Sequence, residues 1–183
     1  MKSHIKGVLA GGLYVICNYV ISYIPCWHVR KLLYKTCGMK IGHHSRIMMR
    51  VIVTHPWKIQ IGDNTTINEH CYLDGRGGLV IGNNVNIALY SMLITGSHNV
   101  RLSNFDYFTE PIVIGNDVWL AARSLVLNGS VVADKCVLGA GAVAMPRTNF
   151  LKGMIYGGVP AKPIKERGLD DPLELGVWNI HFR

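Results

Sequence analysis

The sequence predicts an all-β solenoid of about five triangular coils behind a helical N-terminal segment. Three observations lead there: aliphatic residues recur every six positions from Ile41 onward, many are followed by a small or turn-forming residue, and one uncharged apolar stretch is confined to the N-terminus. At 183 residues the chain can bury a sizeable core. It reads as one domain with appendages, divided as residues 1–38, 39–166 and 167–183.

The N-terminal segment comes first. From Gly7 to Trp27 no side chain is formally charged, and Val8, Leu9, Leu13, Val15, Ile16, Val20 and Ile21 make the stretch strongly apolar. Its length nearly matches a bilayer, but Gly11, Gly12, Asn18 and Ser22 interrupt it and Pro25 closes it. A helical hairpin is therefore expected, with Trp27 to Thr36 as the second arm. Lys2 and Lys6 before it and Arg30, Lys31 and Lys35 after it give no inside–outside asymmetry. No small-residue cleavage site follows, so a removed signal peptide is not expected. Two readings stay open: a cap over the first coil, and a peripheral membrane contact through residues 5–36.

The repeat follows. Aliphatic residues fall at Ile41, Ile47 and Val53, at Ile61, Ile67 and Leu73, at Ile81, Ile87 and Leu93, at Ile114, Leu120 and Val126, and at Val132 and Leu138. Pairs such as Ile41-Gly42, Ile61-Gly62, Ile81-Gly82, Ile114-Gly115 and Leu138-Gly139 mark tight corners. The six-residue period describes a short strand, a tight corner and another short strand, three such units close one triangular coil, and the aliphatic residues point into the prism. Ile41, Ile61 and Ile81 are spaced by twenty, three hexads plus two extra corner residues, whereas Ile114 to Val132 is eighteen. Between Leu93 and Ile114 the register breaks, leaving a loop from Ser97 to Pro111 that carries His98, Asn99, Arg101, Asn104, Asp106, Tyr107 and Glu110. Extra loops on a rigid scaffold are where function concentrates.

Composition narrows the chemistry. A net charge of +8 favours an anionic partner. The basic residues are scattered, with no basic run interleaved with aromatics, so nucleic acid is not expected. Five cysteines without a CxxC pair suggest neither a disulfide framework nor a thiolate zinc site, and a reducing cytosol fits. Cys71 and Cys136, inside repeat units, read as small buried hydrophobes. His43, His44, His55 and His70 sit at unrelated hexad phases, so no metal is expected. No GxSxG turn supports a serine hydrolase.

The segments Ile81-Gly82-Asn83-Asn84-Val85, Thr95-Gly96-Ser97-His98 and Ile112-Val113-Ile114-Gly115-Asn116-Asp117-Val118-Trp119-Leu120 resemble the hexapeptide-repeat acyltransferases. The branch is that of the maltose, galactoside and nodulation-factor O-acetyltransferases and of the acetyltransferases of capsule and exopolysaccharide synthesis. The resemblance runs from Ile41 to about Lys165. It implies a left-handed parallel β-helix, a homotrimer with active sites in clefts between neighbours, and acetyl-CoA as cosubstrate without a metal. The acceptor would be a sugar or cell-surface glycan. The cysteine usage makes a cytoplasmic enzyme the expectation, and the apolar N-terminus adds, as one of its two open readings, association with the inner face of the membrane.

Residue by residue, the resemblance makes His98 the general base. A sugar hydroxyl is a poor nucleophile until its proton is accepted, and neutral imidazole suits that duty near pH 7. Asn68 becomes a ligand of the acceptor hydroxyl, the alternative being a corner asparagine with left-handed backbone. Trp119, one residue before Leu120, projects outward; it walls the cleft, packs the trimer, or does both. Ala121, Ala122, Gly139 and Ala140 would let a pantetheine arm lie against backbone amides, although tight corners favour small residues anyway. Arg147 and Lys162 would meet the phosphates of coenzyme A. Met145-Pro146-Arg147 departs from the Thr-Lys-Asp often found there, which shifts that contact to Arg147 or Lys162. Asn68 opens the second side of its coil and His98 closes the third side of the next, so the two are expected to meet only across a subunit interface. Competing readings are an antibiotic O-acetyltransferase of the same fold and a non-catalytic or carbonic-anhydrase-like β-helix.

Overall fold

In the computed structural model the described residues are 2–173 and 175, so the part of the expected tail from 176 to 183 lies outside them. Beyond two helices, α1 (Lys2–Val15) and α2 (Trp27–Thr36), the chain winds into a parallel β-helix with three flat faces. Face one stacks β1 (Lys40–Ile41), β4 (Ile59–Ile61), β7 (Leu79–Ile81), β12 (Ile112–Ile114) and β15 (Val131–Val132). Face two stacks β2 (Arg46–Ile47), β5 (Thr66–Ile67), β8 (Asn86–Ile87), β13 (Trp119–Leu120), β16 (Val137–Leu138) and β18 (Met154–Gly157), with β19 (Lys162–Glu166) antiparallel at its end. Face three stacks β3 (Ile52–Thr54), β6 (Tyr72–Asp74), β9 (Met92–Ile94), β14 (Leu125–Leu127) and β17 (Val143–Ala144). A hairpin of β10 (Gly96–His98) and β11 (Tyr107–Thr109) stands apart.

The hexad phase sets the core. Ile41, Ile61, Ile81, Ile114 and Val132 pair in register along face one, and Ile47, Ile67, Ile87, Leu120 and Leu138 do so along face two. Val53, Leu73, Leu93 and Val126 form the third column, ended by Ala144. All are buried. Each such side chain contributes about 1.5–3 kcal/mol of apolar burial, so a one-residue slip of register would forfeit a whole column.

The first corner, between faces one and two, explains the recurring glycine. The side chains of Asp63, Asn83, Asn116 and Asp134 each accept the backbone N–H of the matching residue one coil earlier, at 2.6, 2.7, 2.9 and 2.7 Å. The glycine before each site lies directly under that ladder. A Cβ on Gly82 would sit 2.6 Å from the Gly115 carbonyl oxygen and 2.8 Å from Asn116 Oδ1.

Both ends of the prism are closed. Asn18 donates to the carbonyl of Val53 and accepts its N–H, at 2.8 and 2.7 Å, pairing the open edge of face three. Buried Arg30 donates to the Ile47 carbonyl at 3.1 Å on face two, and Lys31 reaches the Gly42 carbonyl at 2.7 Å where face one turns. The helices thus cap the first coil. Their other side exposes Val8, Leu9, Val15, Ile16, Tyr19 and Val20. Among the described residues no helix is long and apolar enough to cross a membrane. At the far end Phe150 and Tyr156 plug the prism, ring centroids 4.5 Å apart. The expected five coils are exceeded: β18 stacks on β16 and begins a sixth. Its inward residue is Tyr156, which no aliphatic hexad announces.

Candidate active site

All the extra residues of the solenoid leave at the third corner, where face three returns to face one. The first coil inserts a short turn at Pro56–Lys58, the second inserts Gly75 to Gly78, and the third inserts the hairpin. The expected loop is therefore an ordered antiparallel pair, in which His98 lies opposite Tyr107. His98 Nδ1 is 2.8 Å from the carbonyl oxygen of Phe105. A carbonyl only accepts, so Nδ1 carries the proton and Nε2 of the neutral ring is left as an acceptor. Phe105 stacks on the imidazole at 4.3 Å and Tyr107 meets it edge-on at 5.2 Å. Phe105 adopts left-handed backbone, φ 50°, which turns its carbonyl toward the ring.

Behind the hairpin is a cluster that sequence reasoning missed. Asp74 is fully buried and accepts five hydrogen bonds, from Thr54 Oγ1, the Arg76 backbone N–H, Arg76 Nε and Nη2, and the Thr95 backbone N–H, at 2.8–3.0 Å. Burial pushes its carboxyl up, but the Arg76 guanidinium and the backbone and hydroxyl donors outweigh burial and hold it well below the usual carboxylate range. Arg76 lies 5.5 Å from the Tyr107 ring. Gly96 has no Cβ because Tyr107 occupies that space, its ring 3.0 Å from where the atom would be. The available signal was Asp74-Gly75-Arg76-Gly77-Gly78, an acid at the end of a strand and a base two residues on, in the corner that is longer than a hexad needs.

The remaining expected residues gather at the second corner, between faces two and three. Successive backbone bonds stack Asn68, Ala88, Ala121 and Gly139 in one column. Asn68 does not have left-handed backbone; that role falls to His70, two residues on. The Asn68 amide donates to the Ile87 carbonyl at 2.8 Å and to Asn86 Oδ1 at 3.2 Å, which leaves its own oxygen as an acceptor. Asn86 pairs in register with Trp119, whose outward indole is exposed. Asn68 and Trp119 thus share one surface, and His98 stands at a different corner of the same chain.

The expected backbone amides need correcting. Those of Ala121, Gly139, Gly141 and Ala142 already donate to Leu138, Tyr156, Ala122 and Gly139. Among the described residues, Ala122 and Ala140 are the corner positions from 121–122 and 139–140 whose N–H groups stay unpaired. Arg147 is exposed at the third corner, and Lys162 is exposed just past the second, at the start of β19. Small residues, two open amides and two exposed cations suit an extended chain ending in phosphates.

Other reactive groups are quiet. Cys71 and Cys136 are buried and reduced, and burial pushes the Cys71 thiol up to about 12. Among the described residues no three His, Cys, Asp or Glu side chains group as metal ligands.

No family model matches the chain. A putative colanic acid biosynthesis acetyltransferase of Escherichia coli, WcaF, is 34% identical over 142 residues, 75% of this chain and 75% of that one. Galactoside O-acetyltransferase of the same organism is 27% identical over 140 residues, 75% of this chain and 68% of that one. The structure of the hexapeptide-repeat-containing acetyltransferase VCA0836 of Vibrio cholerae, complexed with acetyl coenzyme A, matches with a TM-score of 0.75 at 26% identity, covering 86% of this chain and 84% of that one. A parallel solenoid with an oriented imidazole on the hairpin of its third coil, set beside these likenesses, is an acyl-CoA-dependent acetyltransferase. The chain belongs to the hexapeptide-repeat acetyltransferase family, and its left-handed β-helix is that family's fold.

Proposed function

We propose that the chain moves an acetyl group from acetyl-CoA to a hydroxyl of a sugar or of a cell-surface polysaccharide precursor, with His98 as general base. The observation that carries this reading is the 2.8 Å contact of His98 Nδ1 with the Phe105 carbonyl, which leaves Nε2 as the proton acceptor. Asn68 holds the acceptor hydroxyl through its free oxygen. That hydroxyl oxygen attacks the thioester carbonyl as its proton passes to Nε2, the C–S bond breaks, and the imidazolium returns the proton to the leaving thiolate. No acyl-enzyme forms. The N–H groups of Ala122 and Ala140 are the candidates to stabilise the oxyanion and the acyl arm. Trp119 walls the cleft, and Arg147 and Lys162 take the phosphates.

His98 and Asn68 occupy different corners of one chain, so a complete site requires a neighbouring copy, and a homotrimer supplies three such clefts. His98→Ala is expected to lower kcat about 10²–10⁴-fold while acetyl-CoA still binds. Trimers mixed from His98→Ala and Asn68→Ala chains should recover activity that neither variant has alone. Substantial activity in His98→Ala would refute the base, and absence of recovery in the mixture would refute the shared site.

The same reading sets the cap against the inner face of the membrane. Residues 1–62 contain nine lysines and arginines and no Asp or Glu, next to the exposed apolar side of α1. Such a segment lies on an anionic surface. The protein should sediment with phosphatidylglycerol-containing vesicles and not with phosphatidylcholine alone; equal behaviour with both would remove the contact.

A further inference from the structure

A groove of about 320 Å³ runs between α1 and the third corner, with Tyr14 and Tyr72 among its walls and His55 and Arg76 at its third-corner side. The proposed reaction does not use it. Arg76 is fixed there with unusual completeness. Asp74, itself fully buried, accepts from Nε at 2.8 Å and from Nη2 at 2.9 Å, so one edge of the guanidinium is clamped. The other edge is different: among the described residues nothing accepts from Nη1, and the side chain is 35% exposed. Lys58 adds a second cation beside it, its ammonium donating to the Arg76 carbonyl at 2.8 Å. Among the residues lining the groove Arg76 carries the one full charge, and the carboxylate that clamps it, Asp74, is buried beneath. Tyr107 connects this cluster to His98, with Arg76 5.5 Å from one side of its ring and the imidazole 5.2 Å away at its edge.

We propose that this groove is a subsite for an acceptor that carries an oxyanion, in which the free edge of Arg76 binds the carboxylate or phosphate of a sugar adjoining the hydroxyl to be acetylated. A planar guanidinium held by a buried partner is a pre-organised fork for such a group, and loses little freedom on binding it. Tyr14 and Tyr72 offer aromatic surface to the apolar face of the same pyranose. The inference rests on His98 as the base, because that is what makes the ground beside Tyr107 an acceptor site. It deepens the proposed function by naming the acceptor as an anionic glycan.

The test compares acceptors that differ only at carbon six: a methyl hexoside, its uronate and its 6-phosphate, each with acetyl-CoA. Wild type should show a KM roughly tenfold lower for a charged acceptor than for the neutral one, the scale of one charge-assisted hydrogen bond. The uronate and phosphate arms tell which oxyanion is preferred. Arg76→Gln should abolish the preference, and Arg76→Lys should restore part of it. No preference in wild type, or a preference that survives Arg76→Gln, overturns the subsite. Should Arg76→Gln fail to fold, the wild-type ratio of KM values decides by itself. Failure here is separable from failure of the base, since inactivity of His98→Ala on all three acceptors would leave the transfer chemistry standing.

Discussion

The first and third corners of the prism are put to opposite uses. At the first corner each polar side chain is consumed by the backbone of the coil before it, as Asp63, Asn83, Asn116 and Asp134 hand hydrogen bonds down the stack. One oxygen of each is thereby spent on holding the stack together. At the third corner the chain is longer than closure needs, and the surplus brings Trp57, Arg76 and the His98 hairpin to the surface. The contrast teaches that a solenoid separates its tasks by corner. One edge fixes the pitch and another is free to carry chemistry.

That contrast can be broken in order of effect on stability. Gly82→Ala should cost the most, about 3 kcal/mol in urea unfolding, because its Cβ would press on backbone of the next coil that has nowhere to move. A small loss there would mean that the ladder corner is softer than its geometry. Asp74→Asn should come next and show itself in the pH dependence. The folded carboxyl titrates below its unfolded value of about 4, so its stabilisation is complete above that value and fades as pH falls toward the folded one. Unfolding measured from pH 7 to pH 3 should therefore be flatter for Asp74→Asn than for wild type. His98→Ala should leave the unfolding midpoint unmoved, since the ring is exposed on the hairpin. A large shift would make the hairpin part of the core.

Most of the fold was legible because its signal is local. Six-residue spacing places Ile61 over Ile41 without knowledge of any distant contact, and the same arithmetic placed the break before His98. The sixth layer was hidden because Tyr156 fills the inward position and takes its meaning from Phe150, not from a period. The Asp74–Arg76–Tyr107–His98 cluster was hidden for another reason. Its members come from different coils, and the link between them consists of side-chain directions and ring contacts that spacing does not encode. The corner amides were legible as a set of small residues. Which N–H groups remain open depends on bonds to coils eighteen residues away.

The polar cap has a consequence at the scale of many molecules. A parallel β-helix is a one-dimensional lattice, and an open terminal coil offers three unpaired strand edges to any other chain with the same pitch. Asn18, Arg30 and Lys31 occupy those edges at Val53, Ile47 and Gly42. They act as chain terminators against end-to-end fibre growth, and for a protein whose proposed work requires discrete clefts, keeping the assembly finite matters as much as folding it.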